Sequence, residues 1–591
     1  MGMRRNMLLL AGVFLLSAST AARAFQVNPS AAGDQEVTSV AVDGSGNVIV
    51  VWNESQGGID SPDIFARRYD SAGAAIGVPF RVNPDATGPQ RGGAVSAAAD
   101  GTFVVAWEED RPVPADTQPS SIRALRFDSL GVPVGTAFTV NTYTPSYQSY
   151  PAVAHDGSGN FTIAWTSDGQ DGSGTGVFAQ RFANTGAPMG PEFQVNTYTT
   201  SNQSPNQAPA IAAAPDGTVI IAWYSAGQDD GDISVSGGGV YAQRYDAGGA
   251  ALGTEFRVNQ ATDGGQGVNG IAVATDSLGD FVVAWNQTQN GARQFLPGGD
   301  IAARRFDNSG TPLAGDFIVN SNLPQQQYHP AIAMDGAGNF LISYVAQDSD
   351  GPGVEAQSFR FDGTRIGGEF LMNTDPRGDQ DGVVAAGSPD GHFVVVWDGD
   401  DGDQSGVFAR RFNTAVPSCP ALPQAACLGA ERSILQLSQS GGGRLSWKWK
   451  GGPAFDQGNI GNPVGGLTAF AFCVYRTHGA TTDLLVNASI DAAGTCGLVP
   501  CWQVSRTEKT FTYRDKAATA NGLTQIQLRG GPAGHGKLSV AGKGPSLGLS
   551  LPVGPFSNVT AQMINGNGDC WQAGFDAAKV DSAQLFSAAA H

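Results

Sequence analysis

Seven stretches of near-continuous apolar residues punctuate the first two thirds of the chain, about 50–60 residues apart. They are VIVVW ending at Trp52, FVVAW at Trp107, FTIAW at Trp165, VIIAW at Trp223, FVVAW at Trp285, FLISY at Tyr344 and FVVVW at Trp397. Each has the length of a strand and lacks alternation, the pattern expected of a strand covered on both faces. Around each run lie three further β-rich stretches separated by Gly, Asp and Asn. The third unit reads YPAVAHDG, NFTIAWTS, QDGSGTG, VFAQRFANTG, EFQVN, which is strand and hairpin grammar. Helical periodicity is absent.

Repetition at this period signals a solenoid, a propeller or an array. Seven third strands run from IFARRY at Ile64 to VFARRF at Val407, but only six FxVN strands follow one: at Phe80, Phe138, Phe193, Phe256, Phe317 and Phe370. The last unit stops at RRFNTAV, and an orphan FQVN stands at Phe25–Asn28. A ring of four-stranded blades leaves no open edge if that orphan completes the seventh blade. The expectation is an all-β chain: a seven-bladed β-propeller over residues 25–416, closed by its N-terminal strand. A linear β-solenoid gives no reason for the offset.

The motifs FQVNT, GNFTIAW and QDGSGTGVFAQRF resemble a repeat of bacterial secreted and surface proteins, including calcium-dependent adhesin-type exoproteins. The resemblance covers residues 25–416 and implies an exported β-propeller, without implying one activity.

Some residues recur in every unit. A Gln precedes each first strand: Gln35, Gln90, Gln148, Gln207, Gln266, Gln327 and Gln380. An Arg lies in six third strands (Arg68, Arg126, Arg181, Arg244, Arg305, Arg411), with Ser358 in the sixth. Most ligands lack sevenfold symmetry, so recurrence favours scaffold roles: Gln and Asn satisfying backbone groups, Arg pairing with a loop carboxylate, Trp packing in the core. The competing reading places the Gln ring at a channel mouth as a binding surface.

Function belongs where the units differ. The crossings between units are rich in Tyr and amides, which places Tyr143, Tyr147, Tyr150, Tyr198, Gln148, Gln207 and Gln327 on one face as candidate contacts for a glycan or a protein. The loops between second and third strands are acidic. Asp229, Asp230 and Asp232, and Asp398, Asp400, Asp401 and Asp403, are candidate Ca²⁺ ligands, with Asp-Gly turn chemistry as the alternative. Asp168, Asp171, Asp348 and Asp350 lie in equivalent loops. No sialidase-type Asp box, H-E-x-x-H, G-x-S-x-G or phosphate loop occurs. Tyr328 and His329 beside Arg91 or Arg377 form the one candidate set for proton abstraction in a polysaccharide lyase. The leading expectation is therefore a non-catalytic binding or adhesion protein. A lyase or glycoside hydrolase on the same face is the alternative.

Charge and cysteine divide the chain. Residues 25–418 hold 18 Arg, no Lys and 44 acidic residues, whereas residues 419–591 hold 13 basic and 9 acidic residues and all 6 Cys. The acidic part argues against nucleic acid. Residues 1–24 read as a signal peptide, with Arg4 and Arg5 before an apolar run and Ala22-Arg23-Ala24 as a cleavage site. No stretch reads as a membrane span. The expected location is secreted or cell-surface, with the periplasm as a variant. Residues 417–591 read as a β-sandwich-like domain held by disulfides among Cys419, Cys427, Cys473, Cys496, Cys501 and Cys570. The expected pairing is Cys419–Cys427, Cys496–Cys501 and Cys473–Cys570. The hairpins SILQLSQSGGGRLSWKWKGG and TQIQLRGGPAGHGKLSVAGKG form its recognisable frame.

Overall fold

The computed structural model describes residues 24–590, apart from stretches at 30–32, 56–61, 111–119, 230–237, 289–298, 322–325, 348–350, 374–378, 402–404, 414–418 and 491–494 and a few shorter ones. Among the described residues the chain is almost entirely β, and residues 24–413 form seven four-stranded antiparallel sheets. Sheet 1 is Asp34–Val42, Val48–Ser55, Asp63–Tyr69 and Ala75–Arg81. Sheets 2–6 repeat that order along the chain, with first strands or their equivalents at Gln90–Ala97, Gln148–His155, Ala210–Ala213, Gln266–Thr275 and Gln327–Met334. Sheet 7 takes Asp381–Gly387, His392–Asp400 and Ser405–Asn413 from the end of this region, and its fourth strand is Phe25–Gln26. The register is Phe25↔Ala409 and Gln26↔Phe408.

Both faces of each sheet are apolar because each sheet packs between two others. The buried residues fall into clusters that each span consecutive sheets, such as Val51 and Ile64 with Val105 and Trp107. The cluster of Val394, Val396, Val407 and Ala409 with Val27, Val37, Val50 and Trp52 joins sheet 7 to sheet 1. The second strands are therefore the continuous apolar runs of the sequence, and Trp52, Trp107, Trp165, Trp223 and Trp285 are all fully buried.

Residues 428–590 form two large sheets around one core that contains Trp447, Trp449, Phe470, Phe472, Trp502 and Trp571, with a two-stranded ladder of Thr495–Cys496 and Val499–Pro500 beside them in the chain. The five-stranded sheet has the order Leu428–Gly429, Cys570–Phe575, Asn558–Asn565, Phe470–His478, Thr481–Ile490. In the eight-stranded sheet the two expected hairpins, Arg432–Ser438/Arg444–Lys450 and Leu523–Arg529/Lys537–Lys543, lie side by side. No described helix is long and apolar enough to cross a membrane.

The disulfides are Cys419–Cys473, Cys427–Cys570 and Cys496–Cys501; the last is as expected, and the first two replace the expected Cys419–Cys427 and Cys473–Cys570. Cys473 and Cys570 sit on strands separated by Asn558–Asn565 in the five-stranded sheet. Two strand spacings of about 4.8 Å each exceed what one S–S bridge spans. The segment leading in from Cys419 to Cys427 instead lies against that sheet, and each of its cysteines ties to a different strand.

Candidate functional site

Every recurring Asn has one job. Its side-chain Oδ1 accepts the N–H of a third-strand residue: Asn83 from Ile64, Asn141 from Ile122, Asn196 from Val177, Asn259 from Val240 and Asn320 from Ile301, each at 2.8 Å. Asn28 does the same for Val407 at 2.8 Å, across 379 residues. The amide then donates to a Gln seven residues on, as in Asn28–Gln35 (2.8 Å), Asn320–Gln327 (3.0 Å) and Asn373–Gln380 (2.6 Å). In sheets 2, 3 and 5 the Gln Oε1 accepts the indole N–H: Trp107 to Gln90, Trp165 to Gln148 and Trp285 to Gln266.

Gln148 and Gln327 are 0 % and 1 % exposed and spend their amides on this network, so the candidate ligand-binding ring is buried scaffold. In the fourth unit the network uses Gln203, to which Asn196 donates at 3.2 Å, and not Gln207. Gln207 is half-buried and bridges sheets, donating to the Gly267 carbonyl and accepting from the Gly270 amide. Gln203→Ala should cost about 2–3 kcal/mol in a urea melt by stranding buried partners, and Gln207→Ala under about 1 kcal/mol.

The recurring Arg reaches a carbonyl of the next sheet and not a loop carboxylate. Arg126 donates to Thr185 and Asn184 (2.6 Å each), Arg305 to Asp362 (2.7 Å), and Arg411 to Ser71 (2.5 Å). Arg68, Arg181 and Arg244 make equivalent bonds to Ser129, Ala247 and Ser309. All these acceptors lie in turns between third and fourth strands. Sheet 7 has no such turn, because its fourth strand comes from the N-terminus, and Ser358 of sheet 6 is the position that would have reached it.

The acidic loops are also committed. Asp229 accepts the Tyr241 hydroxyl (2.5 Å) and the Asn259 amide (2.9 Å). Asp401 accepts the Gln26 amide (3.0 Å), and Asp398 accepts the Val37 N–H (2.5 Å). Burial drives the Asp398 carboxyl well above the usual range, with Glu36, Asp381 and Asp34 adding to the effect. Asp400 is exposed, and Asp230, Asp232 and Asp403 lie outside the described residues. Among the described residues no group of three or more His, Cys, Asp or Glu is placed to hold a metal.

Of the candidate lyase set, His329 is 47 % exposed and its Nδ1 lies 3.2 Å from Asp381. Tyr328 packs edge-on against it, its hydroxyl pushed up to about 12 by burial and by Asp381 and Asp379. Arg91 stands at the start of sheet 2, ion-paired with Asp110 (3.5 Å), and Arg377 lies outside the described residues. No described guanidinium joins the Tyr–His pair.

Two features stand out on the face of the crossings. Tyr147 and Tyr150 are 61 % and 38 % exposed. Tyr150 (φ 56°) and His329 (φ 50°) hold left-handed backbones two residues after their buried Gln, where sheets 2 and 7 carry Gly92 (φ 62°) and Gly382 (φ 59°). Tyr143 and Tyr198 are half-buried, and Tyr198 donates to the Gly227 carbonyl (3.3 Å). At the opposite end, a cavity of about 530 Å³ opens among all seven sheets where first strands turn into second. Its walls are mainly Ala, Val and Ile, and its rim residues Asp43, Asp156, Asp276 and Asp335 are held in turn hydrogen bonds. The sequence reading missed it. The small residues before each D-G-type turn were its signal. His155 lines this cavity, and burial lowers its imidazole to about 4, so it stands neutral there.

No family model matches the chain, and no curated protein matches it. Among solved structures it is similar to a protein of unknown function from Dyadobacter fermentans (TM-score 0.39, 11 % identity, 66 % of this chain and 98 % of that one). It is also similar to an alpha-L-arabinanase of Penicillium chrysogenum complexed with arabinobiose (0.37, 13 %, 55 % and 94 %). A third is a Trypanosoma rangeli sialidase in complex with the inhibitor DANA (0.35, 11 %, 88 % and 93 %). All three TM-scores lie below 0.5, and the reading that follows rests on this chain's own residues.

Proposed function

We propose that the seven sheets are the blades of a β-propeller closed by Phe25–Asn28, and that the chain is an exported, non-catalytic protein binding a glycan on the face that carries Tyr147, Tyr150, Tyr328 and His329. Support for closure is the Asn28–Val407 bond, which repeats across the chain ends the bond made inside every other unit. Three disulfides and the apolar N-terminal run support export. The observation that carries the binding reading is the strained backbone at Tyr150 and His329. A non-glycine residue there costs of order 1 kcal/mol, and both places are filled by a ring on one exposed face although glycine serves the same turn elsewhere. Exposed rings flanked by amides suit sugar rings, which stack on aromatic faces and hydrogen-bond at their edges.

The test is affinity electrophoresis of residues 25–591 through gels containing laminarin, galactomannan or alginate. Tyr150→Gly relieves the backbone strain, so the fold stands and only the ring is lost. Retardation of the parent that falls at least about tenfold in Tyr150→Gly and Tyr147→Ala supports the reading. Equal retardation of parent and variants, or none in any gel, overturns it.

A further inference from the structure

The eight-stranded sheet lays one face on the core and leaves the other bare. Its residues alternate between the two: along Arg444–Lys450, Leu445, Trp447 and Trp449 are buried, while Arg444, Lys448 and Lys450 are exposed. The strand register brings four cations side by side on the bare face. Arg432 lies opposite Lys450, Lys450 opposite Lys537, and Lys537 opposite Arg529. All four are exposed. With strands about 4.8 Å apart, they make a row about 14 Å long that runs straight across the strands.

The rest of the face has the same sign. Lys448 stands beside the row, Arg444 and Lys543 oppose each other at the far ends of their strands, and Arg514 lies on the next strand out. Eight of the 13 basic residues of residues 419–591 are therefore on this face, and the five strands that carry them hold no Asp or Glu, so a general surplus of cations does not account for the array. Glu431 lies beyond the strand ends, against Gly451 and Gly534. Among the described residues none of the eight has an ion-pair partner. The ion pairs described in residues 428–590 join Arg476 and His478 to Asp483, on the five-stranded sheet. Like charges directly opposite each other destabilise a sheet. The fold thus keeps opposed cations without which it would be more stable.

We infer that this face is a binding surface for a linear acidic polysaccharide, a chain of uronic acids lying along the row Arg432, Lys450, Lys537 and Arg529. This goes beyond the tyrosine-face reading and does not rest on it. A polyuronate carries one carboxylate per sugar, so successive carboxylates meet cations on successive strands. Lys and Arg donate charge-assisted hydrogen bonds to carboxylates, and Arg can do so through two N–H groups at once. Beside the cations stand Gln436, Gln525 and Gln527, all exposed, whose amides suit sugar hydroxyls. The face presents no aromatic ring, whereas single-stranded nucleic acid is held by rings on which its bases stack. An extended acidic peptide presents side chains on one side about 6.6 Å apart, which fits the strand spacing less well. The acidic seven sheets do not prevent binding, because salt screens their charge beyond about 8 Å at physiological ionic strength.

The experiment is affinity electrophoresis of residues 25–591 through gels containing polygalacturonate, at about 50 and about 200 mM salt. The parent should be retarded, and less so at the higher salt, because binding releases counterions. Lys450→Gln combined with Lys537→Gln removes every opposed pair in the row. It should weaken retardation about tenfold or more, flatten the salt dependence and raise the urea midpoint slightly. Arg432→Gln combined with Arg529→Gln, at the two ends of the row, should also weaken retardation and serves if the first pair fails to fold. Arg360→Gln combined with Lys579→Gln removes the same charge away from the row and should change retardation little. No retardation of the parent, or equal losses in the row and control variants, overturns the proposal. Retardation by a single-stranded or duplex oligonucleotide that exceeds that by polygalacturonate overturns it in favour of nucleic acid. Laminarin and galactomannan carry no charge and read the tyrosine face alone. Absence of their retardation with polygalacturonate retardation intact overturns the tyrosine-face reading and leaves this one standing.

Discussion

Asn28→Ala is expected to cost about 3 kcal/mol, and removal of residues 25–28 is expected to leave the seven sheets without a stable closed form. Asn28 is 2 % exposed, accepts the Val407 N–H at 2.8 Å and donates to Gln35 Oε1 at 2.8 Å. Truncation strands one buried donor and one buried acceptor, each worth about 1–3 kcal/mol. Val27 adds to the latch. It is fully buried, its N–H donates to the Val407 carbonyl (2.7 Å), and its carbonyl accepts from Arg67 (2.6 Å) and Tyr69 (3.2 Å). Four residues thus tie sheet 7 to sheet 1. Without them the third strand of sheet 7 presents an unpaired edge, which is a template for aggregation. Urea unfolding followed by tryptophan fluorescence gives the cost. A synthetic Phe-Gln-Val-Asn-Pro-Ser peptide added to residues 29–591 should restore the lost stability, because it adds a strand to that edge. A truncated protein that melts like the parent, or a peptide without effect on a destabilised one, would count against closure.

The offset between first and last units was legible because it is a matter of counting strands, and FxVN is short and distinctive. The exception at Ser358 was visible too, but its meaning was not. Only the structure shows that the other Arg side chains reach turns, and that the seventh turn does not exist. The error at Gln207 has a simple origin. The stretch from Gln203 to Trp223 is three residues longer than that from Gln148 to Trp165, and left-handed Ser204 and Asn206 lie in the excess. Counting back from the strand found the wrong Gln. Counting seven forward from the Asn finds Gln203, because that spacing is the same in every unit and the Asn–Gln bond spans it here as it does at Asn28, Asn320 and Asn373. The acidic loops misled for a related reason. A carboxylate in a sequence does not show whether it faces solvent or the amide of a neighbouring sheet, and Asp229 and Asp398 do the latter.

Removing Cys427–Cys570 should destabilise residues 419–590 by about 5 kcal/mol, and removing Cys419–Cys473 by about 4 kcal/mol, while the seven-sheet transition stays in place. The bridges close loops with sequence separations of 143 and 54, and the chain-entropy cost of an open loop grows with the logarithm of its length. Cys496–Cys501, with a separation of 5, is worth about 2 kcal/mol by the same rule. The difference has a structural consequence. The lead-in segment makes few apolar contacts apart from its cysteines, which join Ala471, Tyr475 and Ile564 in a small cluster on the outer side of the five-stranded sheet. That cluster lies apart from the main core of Trp447, Trp449 and Trp571. Breaking the two long bridges therefore frees the segment without opening the core, and the sheets should unfold at lower denaturant as one unit. Paired Cys→Ala variants, melted in urea without reductant, measure each cost separately. Peptide mapping under non-reducing conditions checks the pairing on which the costs depend. A Cys419–Cys427 peptide would cut both expected losses to that of a short local loop, and the two long-range variants would then melt near the parent.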